Sequence, residues 1–281
     1  MTSEHNAAQI AEWNGVQGER WAALQRETDG IVLPFGEAAL AVAAPKTGER
    51  VVDVGCGCGD TTIELARRVG EDGSVLGVDV SRPMLDAARR HPAAAGLPQL
   101  AFRECDASAA ELPAPIDLLY SRFGTMFFDD PVAAFTHMRR SLRPDGRTVF
   151  VCWRAPRDNP WAMVPLSAAR AAVGVTPPAA DPNAPGPFAF ADDARVRGIL
   201  ADAGFRDIDI RRFDANVSLG PTPRDAAEMT TRIGPTSRLI RELGVQHVPA
   251  ITDAIVAALQ PFATDEVRVP GSTWIVSARN A

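Results

Sequence analysis

The sequence predicts an α/β protein built on a mostly parallel sheet with helices on both faces. Three observations carry that expectation: short apolar runs that stop at glycine or aspartate, helical segments alternating with them, and a glycine-rich turn after the first run. With 281 residues the chain is long enough for one large domain of this kind and an appended lobe.

Val51-Val52-Asp53-Val54 reads as the first buried strand, halted by glycine. Residues 61–69 form the next helix, with Gly70 just beyond its end. Residues 74–78 make a second strand that closes on Asp79. Ser81 then serves as an N-cap, and Pro83 in the first turn opens another helix. The third and fourth strands are 100–104, ending near Asp106, and 116–121. A helix over 131–142 leads to Arg143-Pro144-Asp145-Gly146, a turn by composition, and 148–153 is the fifth strand. Beyond it the chain turns proline-rich across 155–190, around a short helix at 161–173. A helix at 192–203, a strand at 208–214, a broken helical stretch at 221–261 and a last strand at 267–278 follow. The expected division is therefore a helical lid at 1–44, a ligand-binding core at 45–155, and a remainder at 156–281 with cap insertions at 156–190 and 221–262.

Composition narrows the partners. The net charge is −6, Lys46 is the single lysine, and no basic stripe exists to neutralise phosphates. Nucleic acid and anionic membrane are excluded on that ground, which leaves a small-molecule substrate. The N-terminal residues lack a basic-then-apolar leader, and no apolar stretch nears the roughly 18–20 residues of a span, so a cytoplasmic protein is expected. Cys56, Cys58, Cys105 and Cys152 include one C-x-C pair and no second pair at ligand spacing. They read as reduced space-fillers, and no metal site is expected.

Ligands of such sheets bind outside the carboxyl ends of the strands. The residues there are Asp53 with Gly55, Cys56, Gly57 and Gly59, then Asp79, Asp106 and Ser121 onward. A dinucleotide fingerprint needs glycine at 60, and this chain has Asp60, which puts negative charge where a pyrophosphate would sit. A carboxylate at Asp79 can accept both hydroxyls of a ribose, and Asp106 can accept an adenine amino group. Each is alternatively a helix cap or turn former.

Taken with Val78-Asp79-Val80-Ser81, Met84, Glu104-Cys105-Asp106-Ala107 and Asp117 through Gly146, the segment 51–60 resembles the successive motifs of class I S-adenosylmethionine (SAM)-dependent methyltransferases. Within that superfamily it is similar to the bacterial group containing the ubiquinone/menaquinone methyltransferases. The resemblance implies a Rossmann-like seven-stranded sheet of order 3-2-1-4-5-7-6 with the last strand antiparallel. It implies SAM as cofactor and S-adenosylhomocysteine as product. Asp53 and the glycines would border the methionine part, Asp79, Val80 and Met84 the ribose side, and Asp106 and Ala107 the adenine. Ser121, Arg122 and Phe123 would touch SAM and begin the acceptor pocket. The quinone enzymes carry histidine in that loop, whereas this chain has Phe123-Gly124-Thr125-Met126-Phe127-Phe128.

SAM is an activated donor, so alignment and water exclusion are the main demands, with a base needed only for a protonated acceptor. No base stands out. His137 falls off the apolar stripe of its helix and is expected to be exposed, and His91 is expected away from the strand edge. His247, in the late insertion, is the weak candidate. Met126, Phe127, Phe128, Trp153 and Trp161 are expected in an apolar acceptor pocket. Trp13 and Trp21 either face the cofactor or anchor the leading helices. The function expected is methyl transfer to O, N or C of a small, partly apolar metabolite by a monomer or homodimer. The alternative is a SAM-fold protein that keeps the cofactor site without transferring methyl.

Overall fold

The computed structural model describes residues 6–176 and 181–281. Seven strands form one sheet: β1 Arg50–Val54, β2 Ser74–Asp79, β3 Leu100–Glu104, β4 Ile116–Arg122, β5 Leu142–Trp153, β6 Phe205–Gly220 and β7 Val267–Asn280. Their order is β3-β2-β1-β4-β5-β7-β6. The first five pair in parallel, and β7 runs antiparallel to both β5 and β6. The sheet is thus the one expected. Val51, Val52 and Val54 of β1 are buried because helices cover both faces, and β-branched side chains suit such a central strand.

Helices α1 Ala7–Asn14, α2 Val16–Ala23 and α3 Gln25–Ala43 precede the sheet. Among the crossovers, α4 Asp60–Val69 ends at Gly70, whose φ of 69° only glycine takes readily. The next, α5 Arg82–Arg90, has Ser81 at its N-cap position, but the Ser81 hydroxyl makes no cap bond. It donates instead to the Trp13 carbonyl at 2.7 Å, tying α5 to the end of α1.

Helix α6 spans Pro131–Arg139 and is properly capped by the Asp130 carboxylate. It stops three residues before the expected end at 142, because Leu142 already pairs with Ile116. The Arg143-Pro144-Asp145-Gly146 segment is a correction of the same kind. Its turn chemistry acts, with Asp145 at φ 60°, but inside β5 as an irregularity after which Leu118 pairs with Arg147.

Helices α7 Pro160–Val173 and α8 Asp193–Asp202 precede β6, and α9 Pro223–Arg232, α10 Gly234–Leu243 and α11 Val248–Leu259 lie between β6 and β7. Residues 177–180, within the proline-rich stretch expected at 155–190, lie outside the described residues. Strand β6 is more than twice its expected length. It pairs with β7 from Phe205↔Asn280 to Gly220↔Val267, whereas β5 meets β7 only as far as Trp153↔Thr273. Residues 214–220 and 267–272 therefore overhang the carboxyl edge as a two-stranded ribbon that carries α9–α11. The ribbon leaves the sheet at Asn159, which is fully buried. Asn159 accepts from the Ser272 amide at 2.9 Å and donates to its carbonyl at 3.1 Å, standing in for the strand that has ended. Among the described residues no helix is long and apolar enough to cross a membrane.

Candidate active site

The loop after β1 turns three times through left-handed backbone, with φ of 68° at Gly55, 56° at Gly57 and 89° at Gly59. A side chain at Gly55 would place Cβ 2.7 Å from Gly124 Cα, so the β1 and β4 loops pack backbone against backbone. A Cβ on Gly57 would meet Met84, and one on Gly59 would meet Phe102 and Ala88. The three glycines thus satisfy the protein's own packing as well as leaving bare backbone at the strand edge.

Asp53 is 1% exposed at the end of β1. Its Oδ2 accepts from the Thr62 hydroxyl at 2.7 Å, and its Oδ1 has no partner. Burial pushes its carboxyl up to about 7, against the pull of Thr62 and Arg122. Asp79 accepts from the Gly57 amide and from the Ser81 amide, both at 2.8 Å, and burial raises its pKa as well. These bonds fasten the glycine loop to β2, and each carboxylate oxygen has a second lone pair beyond the one used there.

Asp106, after β3, accepts from the Ser108 amide at 2.9 Å and its hydroxyl at 2.7 Å. It also accepts from Asn6 Nδ2 at 3.1 and 3.2 Å. Ala107 beside it is buried. The Val80 carbonyl accepts from Asn14 Nδ2 at 2.7 Å, and Asn14 Oδ1 accepts from the Arg82 amide at 3.0 Å. Gly18 is needed where α2 crosses: a Cβ there would lie 1.9 Å from the Trp13 carbonyl. The segment before α3 is thus laid across the ends of β2 and β3 by Asn6, Trp13 and Asn14.

After β4, the Ser121 hydroxyl donates to the Val54 carbonyl at 2.7 Å and accepts from the Gly124 amide at 3.1 Å. It joins the two loops. Arg122 pairs with Asp29 of α3 at 2.6 Å. Phe123 holds φ at 60°, a strained position for an aromatic residue. Its ring stacks on Trp153 at 4.4 Å and 18°. Trp153 in turn meets Trp161 at 4.8 Å and Phe35 at 5.0 Å. A second aromatic group joins Trp13 to Trp21 at 5.8 Å and to Phe127 at 5.4 Å.

The expected acceptor residues therefore separate. Trp153 and Trp161 share a wall with Phe123, and Phe127 joins the tryptophans of the leading helices. Met126 is 1% exposed in the core, and Phe128 turns its edge to core residue Phe135. A local apolar run does not reveal which members face inward. His247 sits in the short turn Val245–His247, packed chiefly against α10 and α11. His137, expected exposed, is half-buried and 2.8 Å from the Ala110 carbonyl. His91, expected remote, has its ring 3.7 Å from Asp60 at the start of α4. Burial raises the thiols of Cys56 and Cys58, the latter to about 12, so neither is a nucleophile at neutral pH.

Sequence reasoning did not single out Asn6, Asn14, Gln25, Asp29 or Phe35. Asp29, Val32 and Phe35 recur at helical spacing on α3, but nothing local says that this face meets the strand edge.

Residues 51–146 match the methyltransferase domain family. The nocamycin O-methyltransferase of Saccharothrix syringae is 29% identical over 194 residues, 66% of this chain and 69% of that protein. The aklanonic acid methyltransferase of a Streptomyces species is 33% identical over 118 residues, 42% of this chain and 54% of that one. The match thus spans about half of the second relative. In three dimensions, the YcgJ protein from Bacillus subtilis superposes with a TM-score of 0.57 at 16% identity, covering 87% of this chain and 97% of that one. Residues 51–146 therefore match a methyltransferase domain, and they sit in a seven-stranded sheet with the order of the Rossmann-like methyltransferase fold.

Proposed function

We propose that this chain transfers the methyl group of SAM to O, N or C of a small, partly apolar metabolite. The observation that carries the reading is the row of carboxylates along the strand edge: Asp53 under a bare glycine loop, Asp79 and Asp106. The unpartnered Oδ1 of Asp53 suits a ligand with an ammonium group. Bound SAM supplies an activated methyl group. Asp79 would hold the ribose hydroxyls, Asp106 with Ala107 the adenine edge, and the β1 and β4 loops the methionine portion. Val80 and Met84 would flank the nucleoside, and Ser121 would fix the loop from which Arg122 and Phe123 project.

The chain's own contribution is placement and dryness. Of the expected lid at 1–44, the described residues 6–44 would close the cofactor side. On the acceptor side, Phe123, Trp153 and Trp161 form an apolar wall. A narrow crevice lined by Ile31, Trp161, Leu219, Met229 and Ile233 continues from it beneath α9 and α10. Relatives named for nocamycin and aklanonic acid support a small organic acceptor. Among the described residues, no histidine lines that crevice.

The test is incubation of the protein with methyl-labelled SAM and an extract of its source cells, followed by a mass-resolved search for labelled products. A labelled small molecule and stoichiometric S-adenosylhomocysteine are expected. SAM binding without either product, across extracts, would establish the non-methylating alternative.

A further inference from the structure

The two covers of the strand edge are built from distant parts of the chain. Helices α1 and α2 are tied to the ends of β2 and β3 through Asn6, Trp13 and Asn14. Helices α9–α11 ride on the ribbon between β6 and β7. One side chain joins them. Arg241, in the last turn of α10, donates from Nη1 to the Gln17 side-chain oxygen of α2 at 2.9 Å. Its Nη2 stands 3.7 Å from the Glu12 carboxylate of α1. Among the described residues, no other hydrogen bond or ion pair runs between α1–α2 and α9–α11. The other end of the same helix serves the acceptor side. Gly234, Pro235 and Thr236 open α10 and line the crevice together with Trp161 and Met229. Thr236 and Arg241 are five residues apart, about 7.5 Å along one helix.

The chemistry of the link suits a contact that opens and closes. A guanidinium can give N–H groups to two acceptors at once, and here each leading helix offers one. Arg241 keeps 27% of its side chain exposed and Glu12 keeps 39%, so water can replace either partner at little cost. Such a contact is a weak staple for the fold and a sufficient catch for a lid.

We propose that Arg241 latches the acceptor-side cap to the cofactor-side lid, so that neither cover opens until the latch parts. It is a positioning residue that touches neither ligand, and the proposal rests on the cofactor and acceptor reading above. With the latch shut, α10 holds one end over the crevice and the other against α1 and α2. Flexing the ribbon to admit an acceptor must first part Arg241 from Gln17. Lifting the leading helices to exchange S-adenosylhomocysteine for SAM must do the same. A latch that contacts no ligand slows entry and exit alike and leaves the equilibrium affinity nearly unchanged.

The test is stopped-flow binding and release of S-adenosylhomocysteine by the full chain, read by tryptophan fluorescence, with hydrogen exchange of the ligand-free protein alongside. Arg241→Ala is expected to raise both the association and the release rate about three- to tenfold, the size of one partly exposed hydrogen bond from a charged group. The dissociation constant stays within about twofold, because entry and exit change together. Gln17→Glu sets a carboxylate against the guanidinium and slows both rates, an effect that added salt reduces. In exchange, Arg241→Ala speeds α1–α2 and α10 together, with the midpoint of urea unfolding unchanged. Unchanged rates in both variants overturn the proposal. So does faster release with a matching loss of affinity, which marks a binding contact, or faster exchange in α10 alone, which marks a local helix contact. Absence of S-adenosylhomocysteine binding overturns the cofactor reading, and the exchange pattern then decides on the link by itself.

Discussion

Replacing Asp53 by Asn removes one ionisation from the centre of the sheet while keeping its shape and an acceptor for the Thr62 hydroxyl. In the folded protein burial holds this carboxyl protonated up to about pH 7, whereas its ordinary value is 3.8. Between those two values the unfolded chain has lost the proton and the folded chain has kept it. Asp53's contribution to stability is then full below pH 3.8, declines as pH rises, and is gone above about 7. The slope is about 1.4 kcal/mol per pH unit, so between pH 5 and 7 wild type loses about 2.5 kcal/mol from this group. Asp29, raised to about 6, declines with pH in both proteins and cancels in the comparison. Urea unfolding at half-unit steps from pH 4.5 to 7.5 provides the measurement. Wild type should fall relative to Asp53→Asn by about 2 kcal/mol or more across that window. Parallel profiles for the two proteins would refute the burial argument.

Three further outcomes are expected. Gly55→Ala combines a φ of 68° with a Cβ 2.7 Å from Gly124 Cα. It should cost about 2–4 kcal/mol in denaturant unfolding, and a loss below about 1 kcal/mol would mean that the two loops yield easily. Asp79→Ala should weaken SAM binding by about 1–3 kcal/mol in calorimetry. Because Asp79 also anchors the Gly57 and Ser81 amides, part of that loss should appear as lower thermal stability. Trp161→Ala should raise the acceptor KM with little change in SAM affinity, and a matching fall in both would place Trp161 on the cofactor side instead.

Strands β1, β2 and β4 were readable because each is a dense apolar run, and the glycines with Asp79 and Asp106 were readable because chemistry sits where those runs stop. Strand β6 was not. Phe205–Gly220 alternates arginine and aspartate on exposed faces, and its order comes from pairing with β7, more than fifty residues away for Asp214↔Ser272. The Arg143–Gly146 turn was correctly sensed as a turn and wrongly taken as a strand boundary, since pairing resumes on either side of it. Site partners contributed from afar were also hidden. Asn6 meets Asp106 across 100 positions, and Asp29 meets Arg122 across 93. Neither pairing leaves a local pattern, and the helices that make them are ordinary in sequence.

The ribbon of residues 214–220 and 267–272 also has a mechanical meaning. A two-stranded overhang twists and bends more easily than a seven-stranded sheet, and Asn159 clamps the point where one becomes the other. That residue is a fulcrum, and α9–α11 ride beyond it like a plate on a leaf spring. The leading segment, by contrast, is held to β2 and β3 by separate hydrogen bonds that open one after another, like a zip. The two sides of the candidate site are thus attached in different ways, one through a continuous ribbon and one through separate bonds. On the proposed function, an acceptor would enter by flexing the spring while the zip stays fastened over the cofactor.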